Sequence, residues 1–180
     1  PEIITQEVKG VYKSQNKSYR RLTVIDKENG GKADALNAGI NISQMEILAC
    51  IDVDCILAND SLTRMVRPFM EETNRKVIAV GGAIGIANNC DVQDGAVTKY
   101  RVPQSTLGQF QVIEYCRAFL MGRMAWTRIN GLMLISGAFG FFRRDLVLNV
   151  GGYFPKTVGE DMELVVRMRR YMEEKKIPYK

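Results

Sequence analysis

Three short constellations in this 180-residue sequence carry side chains able to act on a charged ligand. In the first, Asp52-Val53-Asp54 closes the apolar run Ile47 to Val53. Alternate side chains of an extended chain share a face, so both carboxylates are predicted to point the same way. Two acidic oxygens at the carboxyl end of a strand suit Mg²⁺ or Mn²⁺ shared with a diphosphate. Taken alone, the tripeptide reads more readily as two acids leaving a strand into a loop, one of them capping the next segment. In the second constellation, KENGGKADALNAG (Lys27 to Gly39), Gly30 and Gly31 permit a tight turn and close backbone approach. Lys32 then lies at the mouth of a helix, where its ammonium and free N–H groups can meet an anion. An ordinary turn entering an ordinary helix fits the same residues.

The third constellation, Gly159-Glu160-Asp161, opens the last helical pattern. Counting from Asp161 at helical spacing gives Leu164, Val165, Met168 and Met172, an apolar stripe. That places Asp161 on the inward side and Glu163, Arg167, Arg170 and Glu174 outward. An acid in a first turn is favoured by the helix dipole in any case, but a pure capping acid has no need to face the core.

What is missing narrows the chemistry. The sequence has no histidine, which excludes a Ser-His-Asp triad, a Cys-His pair and His-ligated zinc. Any metal must therefore be held by oxygen, and a general base is expected to be a carboxylate. Cys50, Cys55, Cys90 and Cys116 form no C-x-x-C pair and are expected to be free, mostly buried thiols. A net charge of +5 is too mild to argue for nucleic acid, though it suits an anionic small substrate or a membrane surface. The longest uncharged run, Ile129 to Phe142, is too short to cross a bilayer and is expected to be buried core. The chain opens Pro1-Glu2-Ile3 rather than on Met, so it is expected to be a soluble piece of a longer protein.

The elements that must position these residues can be read from periodicity. Strands are predicted at Arg21 to Asp26, Ile47 to Val53, Val77 to Val80 and Met133 to Phe142. Helices are predicted at Ala33 to Ile42, Asp60 to Met70, Gln109 to Thr127, Arg144 to Asn149 and Glu160 to Lys175, the third expected to cover its own sheet rather than to pack on a membrane or a partner helix. Strand and helix alternate, which argues for one α/β domain over residues 1–180 with a mostly parallel sheet.

In this order, NGGKADALNAG (Asn29 to Gly39), IDVD (Ile51 to Asp54), SGAFGFFRRD (Ser136 to Asp145) and VGEDMELVVR (Val158 to Arg167) resemble glycosyltransferase family 2. The likeness is to its membrane-associated branch, which includes cellulose, hyaluronan and poly-N-acetylglucosamine synthases. The resemblance implies a GT-A fold, a Rossmann-like nucleotide-sugar domain, here incomplete at its N-terminus. It implies a metal-dependent, inverting transfer of a sugar from a nucleotide-diphosphate donor such as a UDP-sugar to a hydroxyl of a glycan. By it, Asp54 is the principal metal ligand with Asp52 close by, Lys32 contacts the diphosphate beside Gly30 and Gly31, and Ser136 and Gly137 border the acceptor. Asp161 matches the general base, with Glu160 beside it. No nucleic-acid partner is implied; membrane contact comes through other parts of a parent whose catalytic face is cytoplasmic. Two features of the family, an early base-gripping aspartate and a late Q-x-x-R-W, do not occur here. A sugar nucleotidyltransferase, which releases pyrophosphate rather than UDP, and a non-catalytic nucleotide-sugar-binding module are the rival readings.

Overall fold

The computed structural model describes residues 2–71, 74–155, 157 and 159–180. Its centre is a three-stranded sheet of β3 (Ile47–Ile51), β7 (Phe139–Arg143) and β4 (Ala79–Gly81), in the order β3-β7-β4. Four of the five β7 residues are buried, as expected of a central strand covered on both faces. Ile47 faces Arg143 and Ile51 faces Phe139, while Gly81 faces Gly140 on the other side.

The α/β class holds, but β7 is antiparallel to both neighbours. β3 and β4 therefore run the same way, yet never pair with each other. Strand–helix alternation reports that β3 and β4 share a direction; it carries nothing about a strand that arrives later and inserts between them.

Helix α1 (Gly31–Ile42) and helix α2 (Ser61–Met70) come after β2 (Thr23–Lys27) and β3 respectively. α5 (Arg144–Asn149) leaves β7 directly, and α6 (Glu160–Glu174) closes the core. Leu164, Val165, Met168 and Met172 are all buried there among Phe142, Leu146 and Val147. Each such side chain contributes about 1.5–3 kcal/mol by leaving water, which fixes α6 and so the direction of its first turn.

Three strands lie outside the sequence prediction, and they complete two hairpins. β1 (Val8–Lys13) pairs with β2, and β5 (Asp91–Gln93) pairs with β6 (Ala96–Lys99). The second turns on Asp94 and Gly95, both at positive φ, the Asp-Gly signature of a tight hairpin.

Four further expectations need correction. The helix α3 (Thr106–Tyr115) continues through a π-helical stretch, Cys116–Gly122, into α4 (Arg123–Arg128), but it buries only Gly108 and covers no sheet. The uncharged run is core only in its second half: Ile129 is 70% exposed, while Ile135 and Phe139 to Phe142 are buried. The strand within it begins at Phe139, because residues 131–136 form no regular element and 137–138 form a turn. Of the four free thiols only Cys50 is buried; Cys116 is exposed with the helix that carries it.

Candidate functional site

The site gathers where β3 ends, β7 begins and the first turns of α1 and α6 arrive. Asp52 comes directly after β3, and its N–H donates to Ala138 O at 3.1 Å, tying it to the turn before β7. Lys32, in the first turn of α1, reaches across that junction. Its ammonium sits 2.5 Å from Asp52 Oδ1 and donates to Gly137 O at 3.2 Å. Asp161, in the first turn of α6, completes the cluster against Gly137. A Cβ on Gly137 would collide with the Asp161 carboxylate, so only glycine fits. Gly159 at φ 90° caps α6, a left-handed geometry that again favours glycine. Residues from four predicted segments thus meet at one end of the sheet, the carboxyl end of β3, where open α/β sheets hold their ligands.

The shared face of Asp52 and Asp54 is not formed. Cys55 N–H donates to Asp52 O at 3.1 Å, closing a turn, and the Cys55 thiol donates to Ala138 O at 3.3 Å. Alternation of side chains holds only while the backbone stays extended, and here extension stops at Ile51. Asp52 turns in toward Lys32, while Asp54 is exposed and makes no ion pair with any described residue. No group of three acidic or cysteine side chains able to hold a metal occurs among the described residues.

Burial is uneven among the charges. Asp161 Oδ1 is shielded from water and accepts no hydrogen bond. Burial pushes its carboxyl above the usual aspartate range, Lys32 and the Gly137 N–H pull it back, and Asp52 adds to the rise. Glu160 is also raised, first by burial and then by Asp161. For Lys32, burial alone would lower the ammonium; the hydrogen bond and charge of Asp52, with Asp161 and Glu160 beyond, outweigh it and hold the pKa up. Lys32 is thus a firmly held positive charge facing carboxylates.

Other predicted residues are placed less centrally. Ser136 Oγ accepts from Ala138 N–H at 3.4 Å, shaping the turn that presents Gly137. Gly30 does not line the cluster: a Cβ there would strike the Asp34 carboxylate. Gly31, at φ 83°, starts α1 with open space around it. On α6, Glu163 and Arg167 are not outward. Arg167 pairs with Glu163, donates to Gly152 O at 2.6 Å and stacks 3.9 Å over Phe154, clamping the loop before α6. The predicted contribution of Val158 falls outside the described residues.

Sequence reasoning missed the supports. Asn37, in the middle of α1, is buried and exchanges two 2.8 Å bonds with the backbone N–H and C=O of Tyr153. Its signal was a poor helix former on an apolar helix face, which asks for a tertiary partner. The Tyr153 hydroxyl is buried beside the Cys50 thiol, and burial together with that neighbour drives its pKa far up. A cavity of about 540 Å³ at the opposite end of β3, beside Glu46 and Arg144, contains none of these residues.

Comparison with known proteins yields a concordant set. A profile of glycosyl transferase family 2 matches residues 4–147. The poly-beta-1,6-N-acetyl-D-glucosamine synthase of Staphylococcus aureus (strain COL) is 30% identical over 75% of this chain. The synthase of the same name from Staphylococcus epidermidis is 29% identical over 74% of it. The chain spans about 29% of the length of each of these relatives.

Proposed function

The chain belongs to glycosyl transferase family 2, and from that premise we propose that it carries the catalytic core of an inverting enzyme. The enzyme moves a sugar from a nucleotide diphosphate, a UDP-sugar, to a hydroxyl of a growing polysaccharide on the cytoplasmic face of a membrane. The similarity to two polysaccharide synthases supports the acceptor class.

The observation that carries the reading is Asp161: a carboxylate with one oxygen buried and unbonded, beside a lysine already held positive. A capping acid in a first turn has its oxygens on backbone N–H groups or in water. Oδ1 of Asp161 is kept from both. A carboxylate raised by burial is a better proton acceptor, so Asp161 takes the acceptor hydroxyl's proton as the oxygen attacks the anomeric carbon. The bond from that carbon to the diphosphate breaks on the opposite face, and Lys32 neutralises part of the charge left on the phosphates. Ser136 and Gly137 border the acceptor, the Asp52 charge adds to the basicity of Asp161, and Glu160 stands beside it.

A divalent cation, Mg²⁺ or Mn²⁺, supplies further charge neutralisation on the departing diphosphate when bound. Hard cations of this kind take one or two carboxylates and fill their remaining positions with phosphate oxygens and water. Asp54, exposed and without an ion pair among the described residues, fits that demand, with Asp52 behind it. In an Mn²⁺ titration with UDP present, Asp54→Ala is expected to weaken metal binding; affinity equal to wild type removes Asp54 from the site.

The deciding experiment is Asp161→Asn in the full-length enzyme, with UDP release and thermal melting measured together. Transfer is expected to fall by at least about a hundredfold, the usual contribution of a general base. The melting temperature should hold or rise, since a buried charge is removed. Glu174→Gln, exposed at the far end of α6, serves as the silent control. Near-normal turnover by folded Asp161→Asn would return this carboxylate to the role of a cap.

A further inference from the structure

Free positive charge is concentrated in one hairpin. From Val8 to Ile25 the cations are Lys9, Lys13, Lys17, Arg20 and Arg21, and there is no acid. Lys9 holds Glu28 at 2.7 Å, at the base of the β1–β2 hairpin. The other four are exposed, and among the described residues none makes an ion pair or hydrogen bond through its side chain. Together they nearly match the net charge of +5, so the hairpin carries a local field that steers an anionic partner toward it. The tip that bears three of them has a defined shape. Asn16 Oδ1 accepts from Ser18 N–H at 2.9 Å to cap the turn Lys17–Tyr19, and Ser14 N–H donates to Leu22 O at 2.9 Å.

Behind the tip, the ribbon is unfinished as a sheet. β1 pairs with β2 alone, and no third strand joins them among the described residues. Two strands alone are marginal in water, and a third is what ordinarily stabilises them. One face of the ribbon is open as well. Tyr12 and Val24 oppose each other in register and are 60% and 56% exposed. Gly10 lets the Tyr12 ring fold back along β1, since a Cβ there would strike it. An open strand edge is a template for another chain, and lysines on it turn away cationic strands. Lys9 and Lys13 do so on β1, and a second copy of the hairpin would bring lysine against lysine. An acidic strand is attracted instead. A polyphosphate or an acidic glycan would meet the four free cations, but it offers neither N–H donors to the edge nor apolar side chains to Tyr12 and Val24.

We propose that the β1–β2 hairpin is a docking arm for an acidic, extended segment of a partner protein. The segment adds to the open edge of β1 as a third strand and sets its carboxylates against Lys13, Lys17, Arg20 and Arg21. The tip lies at the opposite end of β2 from Lys32, and β2 itself spans about 17 Å. The proposal therefore stands apart from the sugar-transfer reading, and each can fail without the other.

The test adds a labelled synthetic peptide of alternating Glu and Val to the full-length protein and follows its fluorescence anisotropy. Binding that weakens with added salt is expected. K13Q/K17Q/R20Q/R21Q should weaken it about two- to fivefold for each charge removed. Melting and UDP release should not change, because all four side chains are exposed. The same peptide with alternate backbone nitrogens methylated keeps its charge but loses the donors along one edge, and should bind at least about tenfold more weakly. Bound peptide should also slow hydrogen exchange along β1. No binding, equal binding of a Lys-Val peptide, or indifference to the four cations overturns the proposal. A methylated peptide that binds as well as its parent overturns strand addition and gives the tip to polyanions in general. Protection of the β1 amides before any peptide is added also overturns it, and gives the edge to another part of the same protein.

Discussion

Two lysine–aspartate pairs arise within one short stretch of this chain, and they differ in almost every physical respect. Lys27 and Asp34 pair with side chains only 10% and 6% exposed, and Gln6 N–H adds a 2.9 Å bond to Asp34 Oδ1. Lys32 and Asp52 pair with 40% and 33% exposed. Burial alone would raise the Asp34 carboxyl, but Lys27 and the Gln6 N–H more than offset it and hold the group below its usual range. Every strong partner of the first pair comes from the protein, so it locks the N-terminal segment, β2 and α1 together. The second pair is half open to water beside an unbonded carboxylate oxygen, so an incoming anion can compete for its lysine. The proposed chemistry is placed at the pair that is incompletely satisfied.

The largest effect expected of this contrast is on stability. Lys27→Met leaves Asp34 buried without its counter-ion. Breaking a buried pair costs roughly 3–5 kcal/mol, and the low end is expected because the Gln6 bond survives. Urea denaturation measures it, and a loss below about 1 kcal/mol would erase the distinction between the pairs. The same pair sets an acid limit. Because the folded pKa of Asp34 is depressed, its contribution is present above the unfolded aspartate value and is lost as pH falls through the folded one. The stability gap between wild type and Lys27→Met should therefore narrow on acidification.

The smaller effect belongs to the open pair. Lys32→Met removes an exposed ion pair, which contributes about 0–1 kcal/mol, so melting should barely move. Nucleotide binding should suffer instead, and calorimetry with UDP in the full-length protein separates the two outcomes. A Lys32→Met variant that melts early and binds UDP normally would show that this pair, too, is structural.

Local pattern made much of the molecule readable. α5 was readable from Arg144 to Asn149 because apolar spacing ran up to the Gly151-Gly152 stop, and α6 because its stripe ended in a first turn of acids. The β5–β6 hairpin carries a legible turn in Asp94-Gly95, but its flanking strands of three and four residues are too short for alternation to show. The buried Lys27–Asp34 pair was not legible, for nothing in sequence separates it from Lys32–Asp52.

By itself, then, the sequence determined the order of the main helices and of the central strands, the family, and the four segments that meet at the end of β3, because caps, stripes and glycine turns act over a few residues. Only the tertiary structure decided how those residues face one another. Asp52 and Asp54 part because a turn bonded to Ala138 interrupts the extended chain at that point. β7 enters antiparallel between β3 and β4, and that insertion carries Gly137 to Lys32 and Asp161. The helix Thr106–Arg128 is rich in apolar residues, yet Gly108 is the one residue of it that is buried. Each of these outcomes depends on partners far away in the chain, and periodicity within a segment carries no record of them.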